Sequence, residues 1–544
     1  MKQFTLKGLF GALALLYITH CATSPNLKTI ATPTLSPTPK RIMILVFDQL
    51  RPDLIERFHL KNFIRLKNEG LSFPNAIVGH LSSVTVVSHP VITTGLLPKH
   101  LPWQDEFFRD DQGKLGANGD YYSTLDLEPD QYKTLLKDTD KVSLLTRVSP
   151  EAKHTYVIGQ KSYAVMGMGA PLKSSVITLS SKLKSPPGWR QPSGFDVPSY
   201  FLNPFLGRFY LDCNSTYGSE NTLYPLDGQR FAPGEDPDRQ GGDAWVADGV
   251  VSIMDNDPEW KAVFATFGSI DKILHALAEH EVPTKQDWAI KHQLTLKNTL
   301  ERADQALGKI LDKLEEKSYL EETVLIVTAD HGGQANTHFH GLSRPGLGTN
   351  YLFFAEAKNQ ENLEIPQPLS PILKSKEIAA ITHDSALRIW THDLSRTKLS
   401  ELAAQVSQLP GVAEVYTLNK TGARYHYIRT FRSKELVGRP LQWSNSHHQD
   451  LLETLVNPSA PNIIALLLEG HGYGLLGDHG GTQEWVQKIP LIIRSANIPN
   501  NKRGSLVPDE VRLVDINPIA SRLLGLPLPS NLDGSARAIT GLVQ

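Results

Sequence analysis

Acidic and imidazole side chains stand just beyond three apolar runs that lie far apart in this sequence. Ile42-Met43-Ile44-Leu45-Val46-Phe47 leads into Asp48, and Val324-Leu325-Ile326-Val327-Thr328-Ala329 leads into Asp330-His331-Gly332. Between them, Ala262-Val263-Phe264-Ala265-Thr266-Phe267 leads through Gly268-Ser269-Ile270 to Asp271, with His275 four residues on. A carboxylate and an imidazole at that spacing share one face of a helix. Mixed carboxylate and imidazole donors suit Zn²⁺ and related transition metals better than Ca²⁺ or Mg²⁺. One Asp-His pair is ordinary surface sequence. Three such groups at the ends of expected strands are a pattern, because ligands of open α/β sheets bind outside the carboxyl ends of the strands.

The elements that must position these residues fall into three blocks: residues 41–103, 257–354 and 461–544. Strands are expected at the three runs above, around Phe73 to Val78, at Ile463-Ile464-Ala465-Leu466-Leu467-Leu468 and at Leu491-Ile492-Ile493. The spacing of Leu300, Ala303, Leu307, Ile310, Leu311 and Leu314 predicts a long helix with one apolar face. Strands alternating with helices predict an α/β fold with a mostly parallel central sheet and helices on both faces. Residues 104–256, rich in Gly, Pro and aromatics with weak periodicity, read as a cap or elaborated loops. Residues 355–455 read as a small α/β insert, with a helix at Leu399 to Leu409 and a strand at Val412 to Leu418.

A chain of 544 residues can bury a large core and suggests more than one domain. Its net charge of -2 gives no electrostatic footprint for nucleic acid. Two cysteines make no disulfide framework, and Cys213 reads as an inert thiol. Lys2 and Lys7 precede an apolar run from Gly8 to Ile18, too short to span a bilayer and the right length for a secretory leader. Ile18-Thr19-His20-Cys21 resembles a bacterial lipoprotein signal, although His20 replaces the usual small residue. Residues 1–21 are therefore expected as leader and 22–40 as a Thr/Ser/Pro tether. Export to the periplasm or cell envelope follows, with membrane attachment through a lipidated Cys21, or plain secretion as the alternative. The oligomeric state is not legible.

Taken in order, the motifs resemble the alkaline phosphatase superfamily, and within it the type I phosphodiesterase/nucleotide pyrophosphatase branch. Val46-Phe47-Asp48 matches the first metal-binding aspartate of that branch. Thr85-Val86-Val87-Ser88-His89-Pro90 with Thr94-Gly95-Leu96 and Pro98 is similar to its nucleophile segment. Asp271 to His275 looks like its Asp-Xaa-Xaa-Gly-His pair, with Leu274 in place of the glycine. Asp330-His331-Gly332 matches the Asp-His-Gly element, and Asp478-His479-Gly480 followed by Pro490-Leu491 looks like the last histidine ligand. The resemblance implies a metal-dependent phosphoric-ester hydrolase with two divalent ions, Zn²⁺ before others, clamping an in-line displacement. Asp271, His275 and His479 would hold one ion and Asp48, Asp330 and His331 the other. Thr85 would be nucleophile and metal bridge, activated by coordination. The expected substrate is a small phosphoester, phosphodiesters or pyrophosphates ahead of monoesters.

The remaining candidates have plainer readings. Ser88 reads as a cap for a helix whose first turn contains Pro90, and His89 as structural. His471 shares a His-Gly context with His479, but only His479 has the expected distance to Pro490. His338 and His340 read as solvent-facing loop histidines, and His447-His448 has no informative context. Counting from Pro98 places Glu106 where the branch carries an asparagine toward phosphoryl oxygens, and an acid there is unfavourable unless turned away or paired. Gln104 is the expected substitute. Lys161, with Tyr163 in place of an arginine, resembles the phosphate-binding segment of related monoesterases. Alternatives therefore stay open: a phosphomonoesterase, a phosphonate- or sulfate-ester hydrolase, or a catalytically silent metal-containing binding protein.

Overall fold

Continuous apolar runs are the mark of strands covered on both faces, and the computed structural model has a sheet of such strands at its centre. It describes residues 39–151, 153–159, 161–169, 175–178, 198, 200, 242–277, 286–340, 369–373, 375–436, 443–474 and 477–543. The leader, nearly all of the tether and Cys213 lie outside the described residues. Among the described residues, no helix is long and apolar enough to cross a membrane.

In chain order the strands begin with β1 (Arg41–Phe47), β2 (Leu71–Ser72), β3 (Thr155–Gly159), β4 (Ser175–Thr178), β5 (Ala262–Phe267) and β6 (Thr323–Thr328). Then come β7 (Ile378–His383), β8 (Ala386–Thr391), β9 (Val412–Thr421), β10 (Arg424–Arg432) and β11 (Ile463–Leu467), followed by β12 (Leu491–Arg494) and β13 (Ser505–Leu506). The central sheet has eight strands in the order β13-β2-β12-β6-β1-β5-β3-β4. β1 lies between β5 and β6 and is parallel to both, with Val46 opposite Thr266 on one side and Thr328 on the other. β12 runs antiparallel to β6, so the sheet is mostly but not wholly parallel. The chain leaves three neighbouring strand ends toward Asp48, Asp271 and Asp330.

The helices that matter here are α1 (Lys61–Glu69), α2 (Thr85–Thr94), α3 (Ser162–Gly169), α4 (Gly242–Asn256), α5 (Ser269–Leu277), α6 (Gln286–Glu316), α7 (Arg396–Val406) and α8 (Ile516–Leu523). All but α7 gather in two groups: α1, α4 and α5 pack on α6, while α3 and α8 pack on α2; α7 packs on β9 of the second sheet. The α6 stripe from Leu300 to Leu314 is buried at each of its six apolar positions. Each such leucine or isoleucine contributes on the order of 2 kcal/mol by leaving water.

Two placements differ from the sequence reading. The stretch 104–256 supplies β3, β4, α3 and α4 to the central layer, with β3 parallel to β5. These strands are short and set among Gly, Pro and polar residues, so they give little periodic signal. The run Ile463–Leu467 joins the second sheet, ordered β7-β8-β11-β9-β10, and not the central one. Ile463, Ala465 and Leu467 face a cluster with Leu402 and Val406 of α7, whereas Ile464 and Leu466 face Leu451, Leu452 and Leu455. A strand buried on both faces reads as one apolar run wherever it sits.

Candidate active site

Thr85 is the first residue of α2, and all ten residues of that helix are buried. The expected cap role for Ser88 is not met: Ser88 sits inside the helix, and its hydroxyl lies 3.3 Å from His80 Nε2. Pro90 has no N–H to give to the carbonyl of Val86. The Trp103 indole N–H donates to that carbonyl instead, at 2.9 Å. A proline is thus accommodated in a helix interior with no orphaned acceptor. His89 contacts Thr85 O and the Thr266 hydroxyl, each at 2.9 Å, and so ties the helix to β5.

The structure brings the metal-type donors from all three strand ends, and from a fourth segment, to one place. Asp48 follows β1, Asp330-His331 follows β6, and Asp271 and His275 sit on α5 beyond β5. One ligand atom each from Asp271, His275 and His479 lies within 4.8 Å of the others, and the same holds for Asp48, Asp271 and His331. His275 Nε2 is 3.0 Å and His479 Nε2 3.6 Å from Asp271 Oδ1. His331 Nε2 is 3.5 Å from Asp48 Oδ1 and 3.4 Å from Asp330 Oδ2. Asp271 therefore belongs to both groups.

These side chains fit a metal in their second contacts as well. His275 Nδ1 lies 2.7 Å from Gly477 O, His479 Nδ1 3.1 Å from Ser83 O, and His331 Nδ1 3.0 Å from Gly332 O. A carbonyl accepts only, so each Nδ1 carries the proton and each Nε2 lone pair points into the site, the usual arrangement of ligating histidines. Asp330 Oδ1 accepts from the backbone N–H of Gln49 and of His331, while its Oδ2 is buried with no hydrogen-bond donor. Glycine at 332 is required by space, since a Cβ there would stand 2.0 Å from Trp485 O. Gly480, at φ +81°, would likewise drive a Cβ into the Asp384 carboxylate.

Burial, and then the charges of Asp271 and Asp330, push the Asp48 carboxyl well above the ordinary range. Burial and the neighbouring His331 hold His479 well below its ordinary value, so the imidazole is neutral and able to ligate. Lys161 sits among the acids: its Nζ pairs with Asp48, lies 2.8 Å from Asp271 Oδ2 and donates to Thr85 Oγ1 at 3.3 Å. Burial alone would lower its pKa, but Asp271 and Asp48 together raise it well above the usual lysine value. Thr85 Oγ1 is also 3.3 Å from His331 Nε2, which places the hydroxyl between Lys161 and the donor cluster.

A cavity of about 290 Å³ opens over these groups, lined by Thr85, Glu106, Lys161, Tyr163, Asp271 and His275, with the 381–384 corner of the second sheet opposite. Glu106 faces the ligand space. Burial, then Asp105 and Asp384, push its pKa up to about 7, so the acid is half neutral there at neutral pH. Gln104 is not brought to the site: its amide donates to the carbonyls of Pro98 and Leu101, and it borders a different cavity. A count along the sequence cannot see that the chain turns Gln104 inward one step before Asp105 begins to point toward Arg388.

Sequence reasoning missed the residues that hold the site from the second sheet. Arg388 of β8 is fully buried and bonds both Asp105 and Asp384, and its guanidinium also donates to Gly480 O beside His479. His448 spans from Glu414, at 2.9 Å, to the Thr482 hydroxyl, at 3.1 Å. A solitary arginine in an apolar strand, Ala386-Leu387-Arg388-Ile389-Trp390, was the one visible signal.

No curated protein sequence matches this chain. Among solved structures, murine ectonucleotide pyrophosphatase/phosphodiesterase 5 superposes with a TM-score of 0.54 at 14% identity, covering 93% of this chain and all 100% of that one. An inactive form of that protein in complex with AMP gives the same figures. The wild-type alkaline phosphatase PafA superposes with a TM-score of 0.57 at 15% identity, covering 93% of this chain and 99% of that one. At such identities the likeness establishes the fold. The family model for type I phosphodiesterase/nucleotide pyrophosphatase matches residues 42–444, and the chain belongs to that family of phosphoester hydrolases.

Proposed function

We propose that this is an exported hydrolase of phosphodiester or pyrophosphate bonds that uses Thr85 as its nucleophile and a pair of divalent ions, Zn²⁺ before others. The observation that carries the reading is the position of Thr85 Oγ1, 3.3 Å from His331 Nε2 and 3.3 Å from Lys161 Nζ, at the head of a buried helix. Asp271, His275 and His479 would hold one ion and Asp48, Asp330 and His331 the other, with Asp271 near enough to both to share. When bound, such ions neutralise phosphoryl oxygens and lower the pKa of a hydroxyl.

Thr85 Oγ gives up its proton to solvent and attacks phosphorus as the bond to the leaving oxygen breaks, and the leaving oxygen takes a proton from water. The resulting phosphothreonine is then hydrolysed by water, which returns the Thr85 hydroxyl and releases the phosphoryl product. The positive end of the α2 dipole lies at the attacking oxygen and favours the anion. Lys161 supplies one cation to a non-bridging oxygen, and Glu106 in its neutral form donates a hydrogen bond to another. Tyr163 stands where a second cation would favour a dianionic monoester, which tips the balance to monoanionic diesters. The AMP complex of the murine enzyme supports a nucleotide-type substrate. Lys161 is the observation that favours the second reading, a phosphomonoesterase.

Purified protein with added Zn²⁺ assayed on bis-p-nitrophenyl phosphate, p-nitrophenyl phosphate and p-nitrophenyl sulfate separates these readings. The diester is expected to be cleaved with the highest kcat/KM. Faster monoester cleavage would make it a phosphatase, faster sulfate cleavage a sulfatase, and bound metal with no turnover of any of the three a binding protein. Export rests on Lys2, Lys7, the run from Gly8 to Ile18 and Cys21. Labelled palmitate incorporated into the wild type and not into Cys21→Ala would establish the lipid anchor.

A further inference from the structure

Gln49, the residue after Asp48, departs from local backbone preference beside the donor cluster. It lies in a turn directly beyond β1, closed by Leu50 N–H donating to Phe47 O at 3.1 Å. Gln49 holds the third position of that turn with φ at +62°, a left-handed conformation that favours glycine or asparagine there. A glutamine is strained in it, and strain of this kind gathers at functional sites. Gln49 is also buried, at 1% exposure. A Cβ on Gly333 would stand 2.0 Å from the end of its side chain, so the loop after His331 leaves room for a glutamine here.

The contacts of Gln49 run to both of the other strand ends. Its backbone N–H donates to Asp330 Oδ1, beyond β6, at 3.3 Å. In the orientation that satisfies both ends of its amide, the side-chain nitrogen donates to Asp271 O and to Asp271 Oδ1, each at 3.2 Å. That Oδ1 is the oxygen 3.0 Å from His275 Nε2 and 3.6 Å from His479 Nε2. With one lone pair held by the amide, the oxygen keeps another for an ion.

We propose that Gln49 is a positioning residue for the metal donors: its amide orients the Asp271 carboxylate while its backbone N–H orients that of Asp330. One residue thereby ties the end of β1 to the carboxylates beyond β5 and β6. A neutral donor does so without adding charge beside the ions. Partners of this kind around ligating groups govern metal affinity, which explains why glutamine stands where the turn alone would favour glycine. The role rests on the two-ion reading above and deepens it.

Full-length protein is stripped with a chelator, and Zn²⁺ affinity is measured by competition with a chromophoric chelator for the wild type, Gln49→Met and Gln49→Gly. Methionine keeps the length and the strained turn but offers no donor, whereas glycine suits the turn and has no side chain. A residue that served the turn alone would be matched or bettered by glycine. Positioning predicts that both variants bind Zn²⁺ about 10–100-fold more weakly and need correspondingly more Zn²⁺ to reach half of their own maximal rates. Should Gln49→Met fold poorly, Gln49→Gly decides, because the turn accepts glycine without strain. Ions bound by the wild type and bound as tightly by either variant would overturn the positioning role and leave the metal site standing. A wild type that binds no ion would overturn both.

Discussion

Thr85 heads a helix that has no side-chain cap, and its hydroxyl is shared between Lys161 and His331. Removing that oxygen should leave the carboxylates and imidazoles in place. Thr85→Ala is expected to lower kcat by at least about 10⁴-fold with metal content unchanged by elemental analysis. Wild-type turnover in this variant would move the nucleophile elsewhere. Glu106 offers a second test, because its pKa is raised in the fold, to about 7, while an unfolded glutamate titrates near 4.5. Below the unfolded value both states are protonated and the group is neutral in its effect. Between the two values the unfolded state alone ionises, so stability is lost as pH rises, and above about 7 the loss is complete. Glu106→Gln in chelated protein is therefore expected to leave the melting temperature unchanged near pH 4 and to raise it near pH 8, by calorimetry. At this scale the donors were legible because residue type and strand-end position were both in the sequence. Gln104 was not, because which way one side chain turns is decided by backbone carbonyls of Pro98 and Leu101.

Strands β1, β5 and β6 were legible as elements for a plain reason: each is an apolar run that ends in a chemically distinctive residue. Ile463–Leu467 had the same pattern and a different partner, since periodicity says that a strand is covered and not what covers it. The elements of the second sheet reach the active site through Arg388, whose contacts with Asp105 and Gly480 O lie 283 and 92 residues away in sequence. No local pattern could announce them. Arg388→Met keeps the length and removes the charge, leaving Asp105 and Asp384 buried without a counterion. Burial already pushes Asp384 up to about 7 with Arg388 present. Breaking such a pair from one side costs roughly 3–5 kcal/mol, and urea denaturation is expected to show a loss of that order. Because the guanidinium also holds Gly480 O, the variant should lose kcat through a displaced His479. A stability loss with kcat unchanged would show that the network supports the fold alone.

The molecule as a whole gathers Asp48, Asp271 and Asp330 at 0% exposure, with Lys161 paired to two of them. Without metal, burial and then Asp271 and Asp330 raise the Asp48 pKa, whereas at Asp330 the pull of burial is outweighed by His331, His89 and Lys161, which hold that carboxyl below its ordinary value. The sign follows as for Glu106: a carboxyl raised in the fold costs stability progressively as pH rises past its unfolded value. Divalent ions reverse that cost by binding only the assembled cluster. Chelation is therefore expected to abolish turnover and lower the melting temperature, and the gap between loaded and stripped protein should widen as pH rises past the ordinary aspartate value of 3.8. Histidine protonation adds little above about pH 6, since burial holds His331 and His479 below the ordinary value. Lys161→Met sharpens the test. In stripped protein Lys161 is the compensating charge and its loss should be strongly destabilising, whereas in loaded protein the ions carry that duty and the lysine is free for the substrate. A gap that did not widen with pH, or a Lys161→Met penalty equal in both forms, would mean that the three carboxylates are balanced by the protein itself and not by bound cations.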